Sequence, residues 1–202
     1  SQFRYGMNTD FGNVLLYGEL STDSPVTFDE IGNGYIYIEK VREDYTRHTR
    51  TVTKKDSNGN TYTETEVYYS WDYVSSEHLA TDTIVFLGEP FSYGTISLPV
   101  RRLNLADAGV EKQRWNYIYK NSDTRYYYNV TDVSLVGTVF ATLSDGTIKN
   151  ASSLYENDTP VEVIESVQQS ETLYLIFFWL AWVVFMAGCV YGFLYLENRW
   201  LD

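Results

Sequence analysis

The sequence predicts a mainly β protein, in which a β-rich domain with a long polar hairpin is followed by a long helix continuous with one C-terminal transmembrane helix. Three observations lead to this prediction. Apolar runs of strand length recur between turn residues, Asp-Gly and Asn-Gly pairs stand between such runs, and one uncharged stretch lies near the C-terminus. The predicted parts are an extramembrane domain (1–158, with the hairpin ribbon 42–72), a helical stalk (159–171), the transmembrane helix (172–196) and a short tail (197–202).

Several segments of the domain have the length and composition of strands. They are rich in β-branched and aromatic residues and are bounded by Gly, Pro, Asn or Asp. These segments are GNVLLYGEL (12–20), NGYIYIEKV (33–41), TDTIVFLG (81–88), YGTISL (93–98), RWNYIYK (114–120), RYYYNV (125–130) and VSLVGTVFATL (133–143). A short helix is expected around NLADAGVEKQ (104–113).

Two hairpins are predicted from their turn residues. Asp145-Gly146 is a type I′ signature, and Asn58-Gly59 stands at the centre of a longer hairpin over 46–71. Pairing outward from Asn58-Gly59 places Lys55 opposite Tyr62, Thr53 opposite Glu64 and Val52 opposite Thr65. Because the incoming strand is basic and the outgoing one acidic, diagonal pairs of opposite charge are expected to fix the register.

The tip of this ribbon is polar on both faces, so it is expected to project into solvent or against a partner. A solvated hairpin without a partner and an interaction surface both fit this pattern. We predict the interaction surface, with these residues: Arg47, Arg50, Lys54, Lys55, Glu64, Glu66, Tyr68, Tyr69 and Trp71.

A helix start is predicted at the end of the domain. Thr159-Pro160-Val161-Glu162 matches a capping box, with Thr159 as the N-cap, Pro at the first helical position and Glu162 three residues after the cap. Neither Gly nor Pro occurs again before Gly188. The helix is therefore expected to run from Pro160 into the membrane segment, over about 55 Å for 160–196 at about 1.5 Å per residue.

The membrane segment extends from Thr172 to Leu196, 25 residues without a charge. About 20 residues suffice to cross the hydrocarbon core of a bilayer. Gly188 and Gly192 form a GxxxG pair, and bulky aromatic residues stand beside the small residues Ala181, Ala187 and Gly188. We predict that this helix associates with other helices through Gly188 and Gly192; lipid-facing sequence without such a role is the alternative.

Composition excludes several kinds of chemistry. The net charge of −12 disfavours nucleic acid and anionic lipid headgroups as partners. The single cysteine, Cys189, lies in the membrane segment, and the two histidines, His48 and His78, belong to no catalytic motif. We therefore predict a non-enzymatic protein with no catalytic residues, no metal site and no cofactor.

The orientation in the membrane follows from few residues. The chain starts with SQFRYGMNTD, which is expected of a mature N-terminus after signal cleavage and also of a chain whose first segment was trimmed. If nothing precedes this start, the protein would be tail-anchored and its domain would lie in the cytosol. Arg199 follows the membrane segment, which favours a cytoplasmic C-terminus and an extracytoplasmic domain. The sequons at Asn129, Asn150 and Asn157 carry information only in a eukaryotic lumenal domain.

The order of segments resembles the ectodomain of LUMA-type membrane proteins, the transmembrane protein 43 family. The segments that carry this resemblance are GNVLLYGELSTDSPVTFDE (12–30), YIYIEKVREDYTRHTR (35–50), ETEVYYSWDYVSSEHL (64–79), GEPFSYGTISLP (88–99) and VEVIESVQQSETLYLIFFWLAWVVFMAG (161–188). The family has an N-terminal span and several C-terminal spans, whereas one span is evident here. The resemblance implies a membrane scaffold or assembly role and transfers no catalytic residue. The ribbon is also similar to the Tyr- and Thr-rich ribbon of GIDE-type domains.

The expected function is that of a non-enzymatic, membrane-anchored scaffold or accessory subunit. Its expected partners are the lipid bilayer, other membrane protein subunits or a second copy bound through the transmembrane helix. The alternatives are a surface-binding protein or adhesin, a viral membrane protein with a ligand-binding β domain, and a membrane-tethered hydrolase.

Overall fold

A computed structural model describes the backbone of residues 1–200, and the side chains of all of these except 170, 171, 173, 190, 192 and 194–200. The chain forms two compact units, Ser1–Asn157 and a second that begins at Asp158. The first unit is β-rich and the second is a long apolar helix, which confirms the predicted fold class. The elements are α1 (Gln2–Asn8), β1 (Gly12–Ser21), β2 (Tyr37–Lys55), β3 (Thr61–Ala80), β4 (Thr83–Phe86), β5 (Glu89–Ser92), β6 (Arg101–Arg102), β7 (Ile118–Tyr119), β8 (Thr124–Thr131), β9 (Ser134–Ser144), β10 (Thr147–Lys149), β11 (Tyr155–Glu156) and α2 (Pro160–Trp200).

The first sheet is antiparallel, in the order β10-β9-β1-β4-β5, with β11 also paired to β9. Its buried face contributes Leu20, Ile84, Phe86 and Val139 to a core from which water is excluded. The short helix α1, which the sequence analysis did not predict, adds Met7 to this core. Burial of such side chains from water stabilises the sheet by roughly 1.5–3 kcal/mol each.

The second sheet has the order β3-β2-β8-β6, with β7 also paired to β8. One of its faces supplies Ile38, Tyr128 and Val130 to a second core, together with Leu103 and Leu105 from the connection after β6. The strands β2 and β3 have 19 and 20 residues. Only Tyr37–Asp44 of β2 pairs with β8, so the rest of the β2–β3 hairpin extends beyond the sheet as a two-stranded ribbon.

The predicted register of the ribbon is wrong by one residue. In the structure Thr53 pairs with Thr63, not Glu64, and Lys55 pairs with Thr61, not Tyr62. The cause is the turn: the Asp56 carboxylate accepts hydrogen bonds from the backbone N–H groups of Asn58 and Asn60, at 2.9 and 2.8 Å. The loop therefore contains three residues rather than two, and its last residue, Gly59, has φ +84°.

Two other predicted elements differ from the structure. The segment 93–98 is a turn rather than a strand, because Gly94 adopts φ +91° directly after β5. The predicted helix over 104–113 is a succession of turns, in which Gly109 at φ +75° ends the only helical turn. The prediction for 114–120 is confirmed only for the two residues of β7.

The Asp145-Gly146 turn is confirmed. Both residues have positive φ, 53° and 72°, and Ser144 pairs with Thr147 across them. These are the features of a two-residue type I′ hairpin, in which the twist of the turn matches that of the strands.

The capping box at the start of α2 is also confirmed. The Glu162 carboxylate accepts hydrogen bonds from the backbone N–H of Thr159 at 2.7 Å and from its hydroxyl at 2.8 Å. From Pro160 the helix continues for 41 residues without a break. Its segment Pro160–Cys189 is long and apolar enough to cross a membrane, and its most apolar window has a mean hydropathy of 2.0.

Candidate functional site

One face of the second sheet packs on the second core, and the opposite face carries a row of aromatic and arginine side chains. Residues paired across an antiparallel sheet point to the same side, and successive residues alternate sides. Ile38 and Val130 are paired and point into the core, so the odd-numbered residues of β2 point away from it. We call this side of the sheet, together with the residues paired to those odd positions, the outer face.

A stack of aromatic rings and arginines crosses the outer face. The guanidinium carbon of Arg125 lies 4.2 Å from the centroid of the Trp71 ring and 3.7 Å from that of Tyr117. Arg102 lies 3.6 Å from the ring of Tyr127 and 4.8 Å from that of Tyr117. A cation over an aromatic face contributes about 0.5–1 kcal/mol when exposed and about 2 kcal/mol when desolvated.

The stack continues into the ribbon. The ring of Tyr45 lies 5.2 Å from that of Trp71 and 5.4 Å from that of Tyr69. We call the whole row the aromatic–arginine ladder: Tyr69, Tyr45, Trp71, Arg125, Tyr117, Arg102 and Tyr127. Tyr45 is 44% and Tyr69 is 53% exposed, so the ribbon end of the ladder is accessible to a ligand.

One carboxylate is built into the ladder. Glu43 accepts a hydrogen bond from Nε of Arg125 at 2.7 Å, and the two side chains are only 17% and 15% exposed. This ion pair fixes the plane of the guanidinium between its two rings. Burial and the charge of Glu43 raise the pKa of Tyr127, so this phenol stays protonated at neutral pH.

A strained turn presents Trp115 beside the ladder. Trp115 and Asn116 both have positive φ, 57° and 61°, between Arg114 and Tyr117, whose backbones exchange two hydrogen bonds. The Asn116 amide oxygen accepts from the backbone N–H of Leu105 at 2.7 Å. The Asn116 amide nitrogen donates to the Leu103 carbonyl at 2.9 Å. The bulky Trp115 side chain is 78% exposed, although a left-handed backbone at such a residue costs about 1–3 kcal/mol. The asparagine clamp thus holds an indole in solvent.

The two faces of the ribbon differ in charge. On the side opposite to the outer face, which we call the charged face, Arg50 pairs with Glu66 at 3.0 Å, and Lys54 contacts Glu64 and Glu66 at 2.8 and 2.9 Å. Hydrogen bonds from Lys54 and then from Arg50 lower the pKa of Glu66. These contacts confirm that opposite charges join the two strands, but Arg50 and Glu66 are directly opposite rather than diagonal, in a register that differs from the predicted one.

The charged face also holds the ribbon histidine. Nε2 of His48 lies 2.5 Å from the Asp72 carboxylate, and the pKa of Asp72 is lowered by its hydrogen bonds with Ser70 and His48. The His48 ring stacks on Tyr68 at 5.1 Å. The Ser70 hydroxyl donates a hydrogen bond to the same Asp72 carboxylate at 2.8 Å.

From Tyr45 to the tip of the ribbon, the outer face carries no carboxylate. Its residues are Arg47, Thr49, Thr51, Thr53 and Lys55 on β2, and Thr61, Thr63, Thr65, Val67, Tyr69 and Trp71 on β3. Arg47 and Lys55 form no ion pair within the part of the chain that the structure describes. In a protein of net charge −12, this strip carries two basic side chains and no acidic one.

The structure divides the predicted interaction residues into two groups. Arg47, Lys55, Tyr69 and Trp71 lie on the outer face. The remaining ribbon residues of the prediction lie on the charged face: Arg50, Lys54, Glu64, Glu66 and Tyr68.

Other members of the ladder were not predicted from the sequence. Arg102, Tyr117, Arg125 and Tyr127 reach the ladder through the pairing of β6, β7 and β8, which are distant in sequence from the ribbon. The alternation in RYYYNV is a local signal that places Arg125 and Tyr127 on one side of β8. It gives no information on which strand lies beside β8.

The predicted helix contact is only partly described. Gly188 lies in α2, and a Cβ atom added to it would meet nothing within 4 Å. Gly192 lies outside the residues whose surroundings the structure describes. The interaction predicted for this pair stays a prediction.

Two shallow clefts lie elsewhere on the β unit. One of about 330 Å³ is lined by Tyr35, Arg101 and Asp132, and its arginine and aspartate form an ion pair at 2.6 Å. The other, of about 230 Å³, is lined by Lys40 and Tyr126 among others. Among the residues with described side chains, no group of three or more His, Cys, Asp or Glu is placed to hold a metal ion.

Comparison of the chain with protein-family models, with curated protein sequences and with solved structures finds no match. A functional proposal therefore rests on the residues of the chain itself.

Proposed function

We propose that this protein is a non-enzymatic, membrane-anchored accessory or scaffold subunit, whose outer face binds a protein partner. The observation that carries the proposal is the composition of that face. It combines an aromatic–arginine ladder, exposed at its ribbon end, with a strip of the ribbon that has no carboxylate, in a chain of net charge −12. Trp, Tyr and Arg are the residues that dominate the binding energy of protein interfaces.

The charge distribution supports a partner that carries carboxylates. Arg47 and Lys55 form no ion pair with any described residue, and they point to the same side as the ladder. An acidic partner would be attracted to this strip and repelled by the rest of the surface, since the whole chain has a net charge of −12. Such complementarity fixes the orientation of a complex and accelerates its formation.

The helix α2 supports anchoring in a membrane. Its apolar segment has no buried residue in its most apolar window, as expected of a helix surrounded by lipid or by other helices. We infer that the β unit lies on the extracytoplasmic side, because Arg199 follows the apolar segment. The resemblance to LUMA-type proteins supports the same role, since it implies a membrane scaffold or assembly function.

Two neighbouring tyrosines provide a matched test. Tyr69 is 53% exposed on the outer face, and Tyr68 is 45% exposed on the charged face; each stacks on one ring of β2. The full chain is extracted from its native membrane in mild detergent, and the mass of the intact complex is measured. The proposal expects a defined complex that Tyr69→Ala weakens and Tyr68→Ala retains. Recovery of the unsubstituted chain as a monomer, or equal effects of the two substitutions, would contradict it.

The same experiment separates the proposal from an adhesin. An accessory subunit is recovered with a partner from its own membrane, whereas an adhesin binds a soluble or foreign ligand through its β unit and is extracted alone. A complex that forms only after an external ligand is added would favour the adhesin.

A further inference from the structure

We propose that the ribbon also joins copies of this chain edge to edge, with the free edge of β2 paired to the free edge of β3 in the next copy. This contact is distinct from the outer face and does not depend on the partner proposed above. It uses backbone groups at the sides of the ribbon rather than side chains on one of its faces.

Both edges of the ribbon are open along most of their length. The last link between β2 and β8 is the hydrogen bond from the Tyr45 backbone N–H to the Asp123 carbonyl, at 2.8 Å. Beyond it, the β2 residues 46–55 pair only with β3 among the described residues. The strand β3 pairs only with β2, so its other edge is open from Thr61 to Ala80 within the same part of the chain. Unpaired backbone groups in a row are a template for a further strand.

Charged side chains, which can protect an open edge, are present on both strands of this ribbon, but the other protections are few. It contains no proline, and its one irregularity lies at its base, between Arg42 and Glu43. Val67 is 48% exposed, and it stands among Thr and Tyr residues of high strand propensity. A two-stranded ribbon is marginally stable alone in water, and a third and fourth strand would complete it.

Charge decides which edges meet. The β2 half of the ribbon beyond Tyr45 carries four basic residues and no acidic one: Arg47, Arg50, Lys54 and Lys55. The facing part of β3 carries Glu64 and Glu66 and no basic residue. Pairing β3 with β3, or β2 with β2, would therefore place like charges on adjacent strands, whereas pairing β2 with β3 places opposite charges there.

The arrangement that follows is head to tail. Each copy offers its β2 edge to one neighbour and its β3 edge to the other, which gives the strand order β2-β3-β2-β3 through successive copies. A contact between two different surfaces closes into a ring or continues as an array, unlike a two-fold dimer. About ten residues of each strand, or about 34 Å, are available for the pairing.

Single cysteines test the arrangement. Cys189→Ser removes the native thiol, and Thr51→Cys and Thr65→Cys are made in separate full-length chains in detergent. Thr51 and Thr65 are directly opposite within one copy, so the two cysteines are kept in separate chains to prevent an internal disulfide. Each variant then contains a single cysteine, which can be cross-linked only to another copy. Under mild oxidation the proposal expects disulfide-linked dimers in the mixture of the two variants and at least tenfold fewer in either variant alone. Thr49→Cys and Thr53→Cys, each mixed with Thr65→Cys, cover neighbouring registers, since a disulfide requires Cβ atoms about 3.5–4.5 Å apart.

Charge reversal provides a second readout. Arg50→Glu with Lys54→Glu reverses the basic residues of β2 that lie on the same face as Glu64 and Glu66, and it is expected to abolish the cross-link of the mixture. Lys112→Glu with Lys120→Glu makes the same change of net charge outside the ribbon and is expected to leave the cross-link intact. Dimers of one variant with itself would show a two-fold contact and overturn the proposal, as would the absence of dimers in every mixture.

Discussion

The guanidinium carbon of Arg125 lies 4.2 Å from the centroid of the Trp71 ring, although β8 and β3 flank β2 on opposite sides. The contact therefore spans three strands of the outer face and connects the base of the ribbon to the body of the sheet. The same guanidinium also lies over the ring of Tyr117 and donates a hydrogen bond to the Glu43 carboxylate. The ladder is thus a side-chain layer that joins three strands across the outer face of the sheet.

Replacing Arg125 with alanine should destabilise the β unit by about 2–3 kcal/mol, because two cation–π contacts are lost and the half-buried Glu43 carboxylate is left without its partner. Thermal unfolding of the full chain, followed by the near-ultraviolet circular dichroism of its aromatic residues, measures the loss. Arg114→Ala is the control, since the exposed Arg114 side chain is outside the ladder. Equal midpoints for the two variants would show that the ladder contributes nothing to stability.

The register of the ribbon can be tested directly. In a Cys189→Ser chain, Thr53→Cys with Thr63→Cys should form an internal disulfide quickly, because these two residues are paired across the strands. Thr53→Cys with Glu64→Cys, the pairing that an Asn58-Gly59 two-residue turn would give, should form it slowly or not at all. A faster disulfide in the second variant would mean that the Asp56 turn is not the one that forms.

Stability should fall in acid through the Glu30 carboxylate. Burial alone would raise the pKa of Glu30, but hydrogen bonds with Lys40 at 2.5 Å and Tyr128 at 2.7 Å lower it below its ordinary value. A carboxylate whose pKa is lowered in the folded state stabilises the fold above its unfolded pKa, about 4.3, and this stabilisation is lost as the pH falls through the folded value. The midpoint of thermal unfolding should therefore drop between about pH 5 and pH 3.

Glu30→Gln should lower the midpoint at pH 7 and flatten its decline in acid, because the substituted side chain no longer titrates. Glu111→Gln, at an exposed loop position, is the control and should follow the unsubstituted protein. If the Glu30→Gln curve ran parallel to that of the unsubstituted protein over the whole range, the acid sensitivity would belong to other carboxylates.

The side of the membrane that the β unit occupies is open to measurement by thiol labelling. In a Cys189→Ser chain, Ser57→Cys lies in the exposed turn of the ribbon and should react with an impermeant maleimide on intact cells. A cysteine at the C-terminus, Asp202→Cys, should react only after the cells are permeabilised. The reverse pattern would place the β unit in the cytoplasm.

Local signals account for the parts of the fold that were predicted. Apolar runs between turn residues predict the strand β1 and most of β9. The Asp145-Gly146 turn follows from the tolerance of both residues for positive φ. The start of α2 follows from the reciprocal hydrogen bonds that Thr159 and Glu162 can form. Each of these depends on residues that are close in sequence, and propensity and spacing therefore suffice to identify them.

The parts that were missed depend on contacts between distant residues. The helix α1 is too short for an apolar period, and it is identified by the burial of Met7 against the first sheet. The ladder requires that β8 pairs with β2, which brings Arg125 beside Trp71 from a position 54 residues later in the chain. The register error arose because one side chain, Asp56, replaced a two-residue turn with a three-residue loop.

The central claim, that the outer face binds a protein partner, is tested most directly by photo-cross-linking in the native membrane. A photoreactive phenylalanine derivative replaces Tyr69 in one chain and Tyr68 in another, so that the two probes lie on opposite faces of the same strand at nearly the same height. The account predicts one discrete cross-linked partner from position 69 and none from position 68. Equal cross-linking from both positions, or cross-linking from position 68 alone, would contradict it.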